Sequence, residues 1–193
     1  MQSERFFVYL NIEPLPAAWA AYRGAMCSAS TVGTDAFRPI AYWSCGLMRR
    51  GQAGDKRALL RLEKEIAVEQ IRSRHYPHQV SRLHGIYVWG SEEDAVRCEP
   101  KWRESEGQHF DRDKLVEVGF SYTNLTRVDT QWIDKFVIND SVLLDWNDLA
   151  WAYLYWNGEP WDNNPHWEIL VEGRGSIWGT QLRTRAMQRI QNH

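Results

Sequence analysis

Apolar and polar positions alternate in some segments of this chain and recur at helical spacing in others, which predicts a mixed α+β fold. Residues 6–12, Phe-Phe-Val-Tyr-Leu-Asn-Ile, are rich in aromatic and β-branched side chains and stop at Glu13-Pro14, as an opening strand would. Residues 22–54 carry Gly, Ser and Ala without a sustained period and predict a long loop with short elements. Asp55 caps an expected helix over 56–74, with Leu59, Leu62, Ile66 and Ala67 on one face and Pro77 closing it. Residues 83–89 read as a strand, and 91–95 as a turn leading into a helix. The polar stretch 98–112 reads as a loop.

Beyond it, Val116, Val118 and Phe120 alternate along a strand over 115–120. A short strand is expected at 135–138, and a helix at 145–156 with Trp146, Leu149, Ala150 and Tyr153 on its inner stripe, ended by Gly158. Residues 167–171, the Gly173-Arg174-Gly175 run and 176–178 predict a hairpin. Thr180 caps a last helix that turns Leu182, Ala186 and Ile190 inward. With no repeat or linker, residues 1–193 read as a single α+β domain with strands from both ends of the chain.

Length and composition are those of an ordinary globular domain that buries its own core. The formal net charge of −2 exerts no general pull on nucleic acid or an anionic membrane, so a polyanion target needs a local basic patch. Apolar runs are too short to span a bilayer, and the first residues lack a signal-peptide layout. Cys27, Cys45 and Cys98 are sparse and odd in number, which suits reduced thiols in a cytoplasmic protein. Six tryptophans fall between Trp132 and Trp167. Most are expected in the core, with one or two free to line a cleft that stacks a nicotinamide, an adenine or an unpaired base.

Charge is unevenly spread. From Asp129 to Glu172 nine acids face Lys135 alone, whereas Arg174, Arg183, Arg185 and Arg189 follow without an acid among them. Each run taken alone is a solvated face; together they make a docking surface for a protein partner. His75 and His78 flank a proline and have no ligand set around them, so no metal is expected. Glycine-rich nucleotide loops and a Gly-x-Ser-x-Gly elbow are absent, which removes the usual carriers of kinase, Rossmann and serine-hydrolase chemistry.

Three constellations remain. Glu65, Glu69 and Arg72 share a helical face, and an exposed helix edge with a Glu69–Arg72 pair accounts for them. Ser81-Arg82 precedes the strand at 83–89, where the arginine suits either a diphosphate fork or a structural anchor. Glu168 is embedded in an apolar strand. Such a glutamate faces water, pairs with an arginine or, beside a ribose, stabilises a developing oxocarbenium ion.

Arg61-Leu-Glu63, Glu69-x-x-Arg72, Pro77-x-x-x-Ser81-Arg82, Tyr155-Trp156-x-Gly158-Glu159 and residues 167–171 together resemble an uncharacterised bacterial family related to the ADP-ribosyltransferase fold. The Glu168-Ile169-Leu170-Val171 segment is similar to the catalytic-glutamate strand of DarT-type enzymes, which modify DNA. The resemblance implies a split mixed or antiparallel sheet with flanking helices and NAD as a substrate. It implies Glu168 as the catalytic carboxylate, Arg82 with Ser81 on the diphosphate, and Tyr9 or a tryptophan stacked on the nicotinamide. Two positions depart from that pattern: Tyr9 and Asn11 stand where a His or Arg usually binds NAD, and His166 stands where arginine-modifying members carry Glu or Gln. The second departure points away from an arginine acceptor and toward a nucleic acid or another protein side chain. A nucleic-acid acceptor would meet Arg183, Arg185 and Arg189. A toxin or phage-defence role, with a partner such as an antitoxin on the acidic face, fits this reading. The competing reading is a non-catalytic protein-interaction domain on the same scaffold.

Overall fold

The computed structural model of the protein describes residues 2–32, 42–106, 110–134 and 149–193. It is an α+β structure whose strands, β1 (Gln2–Tyr9), β2 (Ala25–Cys27), β3 (Ile86–Val88), β4 (Leu115–Asp129) and β5 (Trp167–Ile177), pair antiparallel throughout. Strands run β1-β4-β5-β2 across the sheet, and β3 lies on the same edge of β5 as β2 but nearer its start. Just past β3, Trp89 exchanges two backbone hydrogen bonds with Phe7 at 2.8 and 2.9 Å. The sheet thereby curls until β3 meets β1.

Gly173-Arg174-Gly175 does not turn the chain, and the predicted hairpin is one continuous strand. The glycines serve close approach instead: a Cβ at Gly173 would strike the Ser121 carbonyl, and one at Gly175 would strike the Phe120 ring. A bulge between Tyr122 and Asn124 exchanges the faces of β4. Before it Val118, Phe120 and Tyr122 pack with Phe6, Val8, Val171 and Ile177 under α1 (Leu15–Arg23) and α8 (Thr180–Gln191). Past it Val128, with Leu170 of β5, turns to a second core beneath α4 (Lys56–His75) and α7 (Ala150–Trp156). Even-numbered residues at the start of β5 therefore point at α4 and α7, whereas Arg174 and Ser176 further along are exposed.

Several expectations are corrected by this packing. The opening strand is Gln2–Tyr9, not 6–12, and residues 22–54 include the short elements expected there, β2 and α2 (Ala29–Val32), but also an 11-residue helix, α3 (Tyr42–Gln52). The strand expected at 83–89 is confined to Ile86–Val88, and residues 98–106 of the stretch expected as a loop form the last part of α5 (Glu92–Glu106). Asp55 does cap α4, its carboxylate accepting from the Ala58 amide at 3.0 Å. The buried face of α4, however, is Ala58, Lys64, Glu65, Ala67, Val68 and Ile71, while Leu59 and Ile66 are exposed. Apolarity alone misplaced the stripe because two charged residues, Lys64 and Glu65, lie on the inner side. On α7 the buried residues are Trp151, Ala152, Tyr155 and Trp156, whereas Tyr153 is exposed. Gly158, at φ +71°, ends that helix as expected. Leu182 and Ala186 are buried and Ile190 packs against the same core, also as expected, but the cap position of α8 is Gly179 rather than Thr180. The strand expected at 135–138, and Trp146 with the start of the helix at 145–156, lie outside the described residues.

Candidate functional site

Arg82 is the centre of the most highly charged buried group among the described residues. The connection from α4 to β3 carries it inward because its neighbours are pinned on both sides. Arg72 pairs with Glu69 at 2.8 Å and donates to the Gln79 carbonyl at 2.9 Å. Ser81 donates to Glu69 at 2.9 Å, and the Val80 amide donates to Thr126 of β4 at 2.7 Å. Glu69 and Arg72 thus form the predicted pair, and they hold the loop that presents Arg82.

The guanidinium of Arg82 spends four N–H donors inside the protein. Nε and Nη2 donate to the two oxygens of Glu65 on α4, at 2.7 and 3.1 Å. Nη1 donates to the Tyr155 hydroxyl of α7 at 2.6 Å and to Oε1 of Glu168 on β5 at 2.9 Å. Its plane lies over the rings of Tyr87 and Tyr155, with centroids at 4.9 and 5.5 Å, and the Tyr87 hydroxyl donates to its backbone carbonyl. Glu65 and Glu168 expose 2% and 3% of their surfaces and Arg82 8%, so all three ions are removed from water. Burial of charge on this scale costs several kcal/mol per ion and is tolerated only with full pairing.

Electrostatics follow from that pairing. Burial alone would lift the Glu65 carboxyl, but Arg82, by charge and by hydrogen bond, then Lys64 and Arg61, hold it below the usual glutamate range. Burial likewise works against the Arg82 charge, and Glu65, the two tyrosines and Glu168 overcome it and keep the guanidinium fully protonated. Burial lowers Arg61, with Glu65 opposing the shift and Arg82 adding to it. Burial raises Tyr87 and Tyr155 far above the ordinary phenol range, so both remain neutral. Glu65 and Glu168 thus share one guanidinium, with Lys64 and Arg61 also acting on Glu65.

The structure brings Arg82 and Glu168 into direct contact, and Ser81 one residue away is held by Glu69. Tyr9 belongs elsewhere. Its ring packs edge-on against Trp89 and Phe110, with centroids at 5.5 and 5.2 Å, and its hydroxyl donates to the Ala95 carbonyl at 3.2 Å. Burial, then the Glu99 carboxylate, push that phenol well above its ordinary range. The α8 arginines are not acid-free in space: Arg185 pairs with Asp113 and Arg189 with Glu13, both at 3.4 Å, and Arg183 donates to the Tyr22 carbonyl. Nine residue steps along β5, roughly 30 Å at strand rise, separate Glu168 from Ile177 before α8 begins.

The acidic run also contains groups that are internal. Asp129 is completely buried and accepts from the amides of Gln131, Trp161 and His166 at 3.0, 2.8 and 3.1 Å, which fixes the segment leading into β5. Trp89, Trp151 and Trp156 are core residues, while Trp19 and Trp178 are exposed. A groove of about 540 Å³ between α4 and α7, lined in part by Gln70, Arg74, His75 and Tyr153, contains none of the Arg82 group. No cluster of His, Cys, Asp and Glu suited to a metal ion occurs among the described residues, and none of their helices is long and apolar enough to cross a membrane.

Sequence reasoning placed Glu65 on an exposed helix edge and gave no site role to Tyr87, Tyr155 or Asp129. For Glu65 a signal was present: it stands at i+4 from Arg61 and i−3 from the buried Val68, so a carboxylate falls on an apolar stripe. No curated protein matches the chain. A family profile matches residues 46–182, well over half of the chain and all of the elements that build the Arg82 group, so the chain belongs to the family described as Protein of unknown function (DUF2441).

Proposed function

We propose that the protein is an NAD-dependent ADP-ribosyltransferase that modifies a macromolecule, with Glu168 as its catalytic carboxylate. The observation that carries this reading is a buried carboxylate, Glu168, held at a fixed position on β5 by its 2.9 Å ion pair with Arg82. When nicotinamide leaves NAD, positive charge develops on the ribose, and a pre-placed carboxylate lowers that barrier without reorganising. The similarity of residues 168–171 to a catalytic-glutamate strand supports the same assignment. The donors of Arg82 are directed to Glu65, Tyr155 and Glu168, which favours the structural anchor that its sequence context also allowed over the diphosphate fork that the resemblance implies. A nucleic-acid acceptor remains the preferred target and a toxin or defence role the preferred setting.

A non-catalytic interaction domain is the second reading, and the burial of Glu168 favours it, since a 3%-exposed carboxylate offers a ribose little access. Incubation with labelled NAD and cell lysate, followed by separate nuclease and protease digestion, distinguishes the two. The transferase reading expects labelled macromolecule from the wild type and a loss of label by orders of magnitude in Glu168→Gln, each tenfold being about 1.4 kcal/mol of barrier. Equal labelling by wild type and a folded Glu168→Gln, or none by either, removes it.

A further inference from the structure

We propose that the open half of one sheet face is a docking platform for single-stranded nucleic acid, with a base stacked on Trp178 and phosphates met by Arg174 and Arg5. The inference goes beyond the role given to Glu168, because it concerns binding alone and is tested without NAD. Side chains alternate along β5, so Leu170, Arg174 and Ser176 share one face of the strand. α4 and α7 pack over the first part of that face, where Leu170 is buried, and leave Arg174 and Ser176 exposed. Strand register carries the open half sideways. Arg5 of β1, Gly119 of β4 and Ser176 of β5 stand in one row, and Ser3, Ser121 and Arg174 in the next. The Ser3 and Ser121 hydroxyls meet at 2.9 Å on that face, and β2 extends both rows.

Short side chains thus floor the surface, and Trp178 rests on it: a Cβ at Gly119 would come within 2.3 Å of the indole. Trp178 is nevertheless 54% exposed, with the Arg5 guanidinium 5.9 Å from its ring centroid. Such an indole offers π surface to a base, and an unpaired strand has bases free to reach it. Stacking of this kind tolerates any sequence. Guanidinium groups beside the ring supply the countercharge that phosphate needs. Glu117 pairs with Arg5 at 3.4 Å, but both ends are exposed, so a phosphate competes only with a weak surface partner. Arg174 forms no ion pair among the described residues, and Glu172, two places before it on the same face, is half-buried. With two arginines rather than a broad basic field, stacking dominates and the salt dependence is shallow.

The test measures binding of fluorescein-labelled oligo-dT to the full chain by fluorescence anisotropy, over a range of salt and without NAD. Saturable binding is expected from the wild type, with oligo-dT preferred to a duplex, whose bases are already stacked on one another. Trp178→Ala should weaken binding roughly tenfold, the scale of one base stacked on an aromatic side chain. Trp178→Phe keeps a ring and should lose less. Arg174→Gln should lower the slope of log affinity against log salt by about 0.7, one phosphate contact on a single strand. That exposed substitution decides the matter if Trp178→Ala does not fold. No binding by the wild type, equal affinity for the duplex, full affinity in folded Trp178→Ala or an unchanged slope in Arg174→Gln overturns the inference. A dimer that dissociates in Trp178→Ala on sedimentation, with oligo-dT binding unchanged, would assign the face to contact between copies of the chain instead. Failure of NAD labelling would remove the role of Glu168 and leave the platform standing.

Discussion

Replacing Arg82 by methionine keeps much of the side-chain volume and removes the only cation that bonds directly to both Glu65 and Glu168 among the described contacts. Two buried carboxylates would then face each other without their shared partner, and the Tyr155 hydroxyl would lose its 2.6 Å donor. Breaking a buried ion pair by removing one member costs about 3–5 kcal/mol. For a chain of this size each kcal/mol corresponds to roughly 2–4 °C in Tm, so a fall of about 6–20 °C is expected. Arg5→Met provides the control: its pair with Glu117 is solvent-exposed on both sides and contributes about 0.2–1 kcal/mol. Urea unfolding of the two variants beside the wild type measures both changes. A loss below about 1 kcal/mol in Arg82→Met would mean that the carboxylates accept protons or water without penalty, and the reading of Arg82 as the central tie would fail.

Acid sensitivity follows from Glu65. Its folded pKa is depressed, so its stabilising contribution is present above the unfolded value of about 4.3 and is lost as pH falls through the folded value. Urea midpoints between pH 3 and 7 should show this loss in wild type and little of it in Glu65→Gln. Asp129→Ala would orphan three amides and should cost on the order of 3 kcal/mol, with the 161–166 amides gaining hydrogen-exchange rate before the rest of the fold. Unchanged exchange there would show that the segment is held by other contacts. Replacing Arg183, Arg185 and Arg189 together by glutamine should reduce labelling of nucleic acid and flatten its salt dependence while NAD hydrolysis persists. An unchanged salt slope would assign that helix to packing alone.

Where apolar spacing and capping agreed, the fold was legible: Asp55 and α4, Gly158 and the end of α7, the inward stripe of α8. It was illegible where a residue served an unusual neighbour. Gly173 and Gly175 look like turn residues locally, and only the crossing of Ser121 and Phe120 explains them. Glu65 reads as an exposed helix edge because its partner, Arg82, is 17 residues away, and nothing local marks Lys64 as buried, since it donates to the Ile133 carbonyl 69 residues on. At the candidate site, Arg82 and Glu168 stood out as charges beside apolar strands, but their mutual contact spans 86 residues and leaves no local spacing to read. The apparent excess of acid near Glu168 dissolves for a similar reason, since Asp129 spends its charge on backbone amides rather than on a solvated face.

The bridge between Phe7 and Trp89 bears on the order in which this chain can assemble. β1 is synthesised first, yet its ladder partner β4 begins at Leu115 and its second neighbour is Trp89. During translation the apolar run around Phe6 and Val8 must therefore wait for most of the molecule, exposed to whatever binds nascent hydrophobic strands. The same dependence limits how the protein can be cut. A fragment trimmed to residues 46–182 would keep every member of the Arg82 group but lose β1, α1, β2 and nearly all of α8. β4 would then present a long unpaired edge, and Val118, Phe120 and Tyr122 would lose their cover, so such a fragment should aggregate more readily than the full chain.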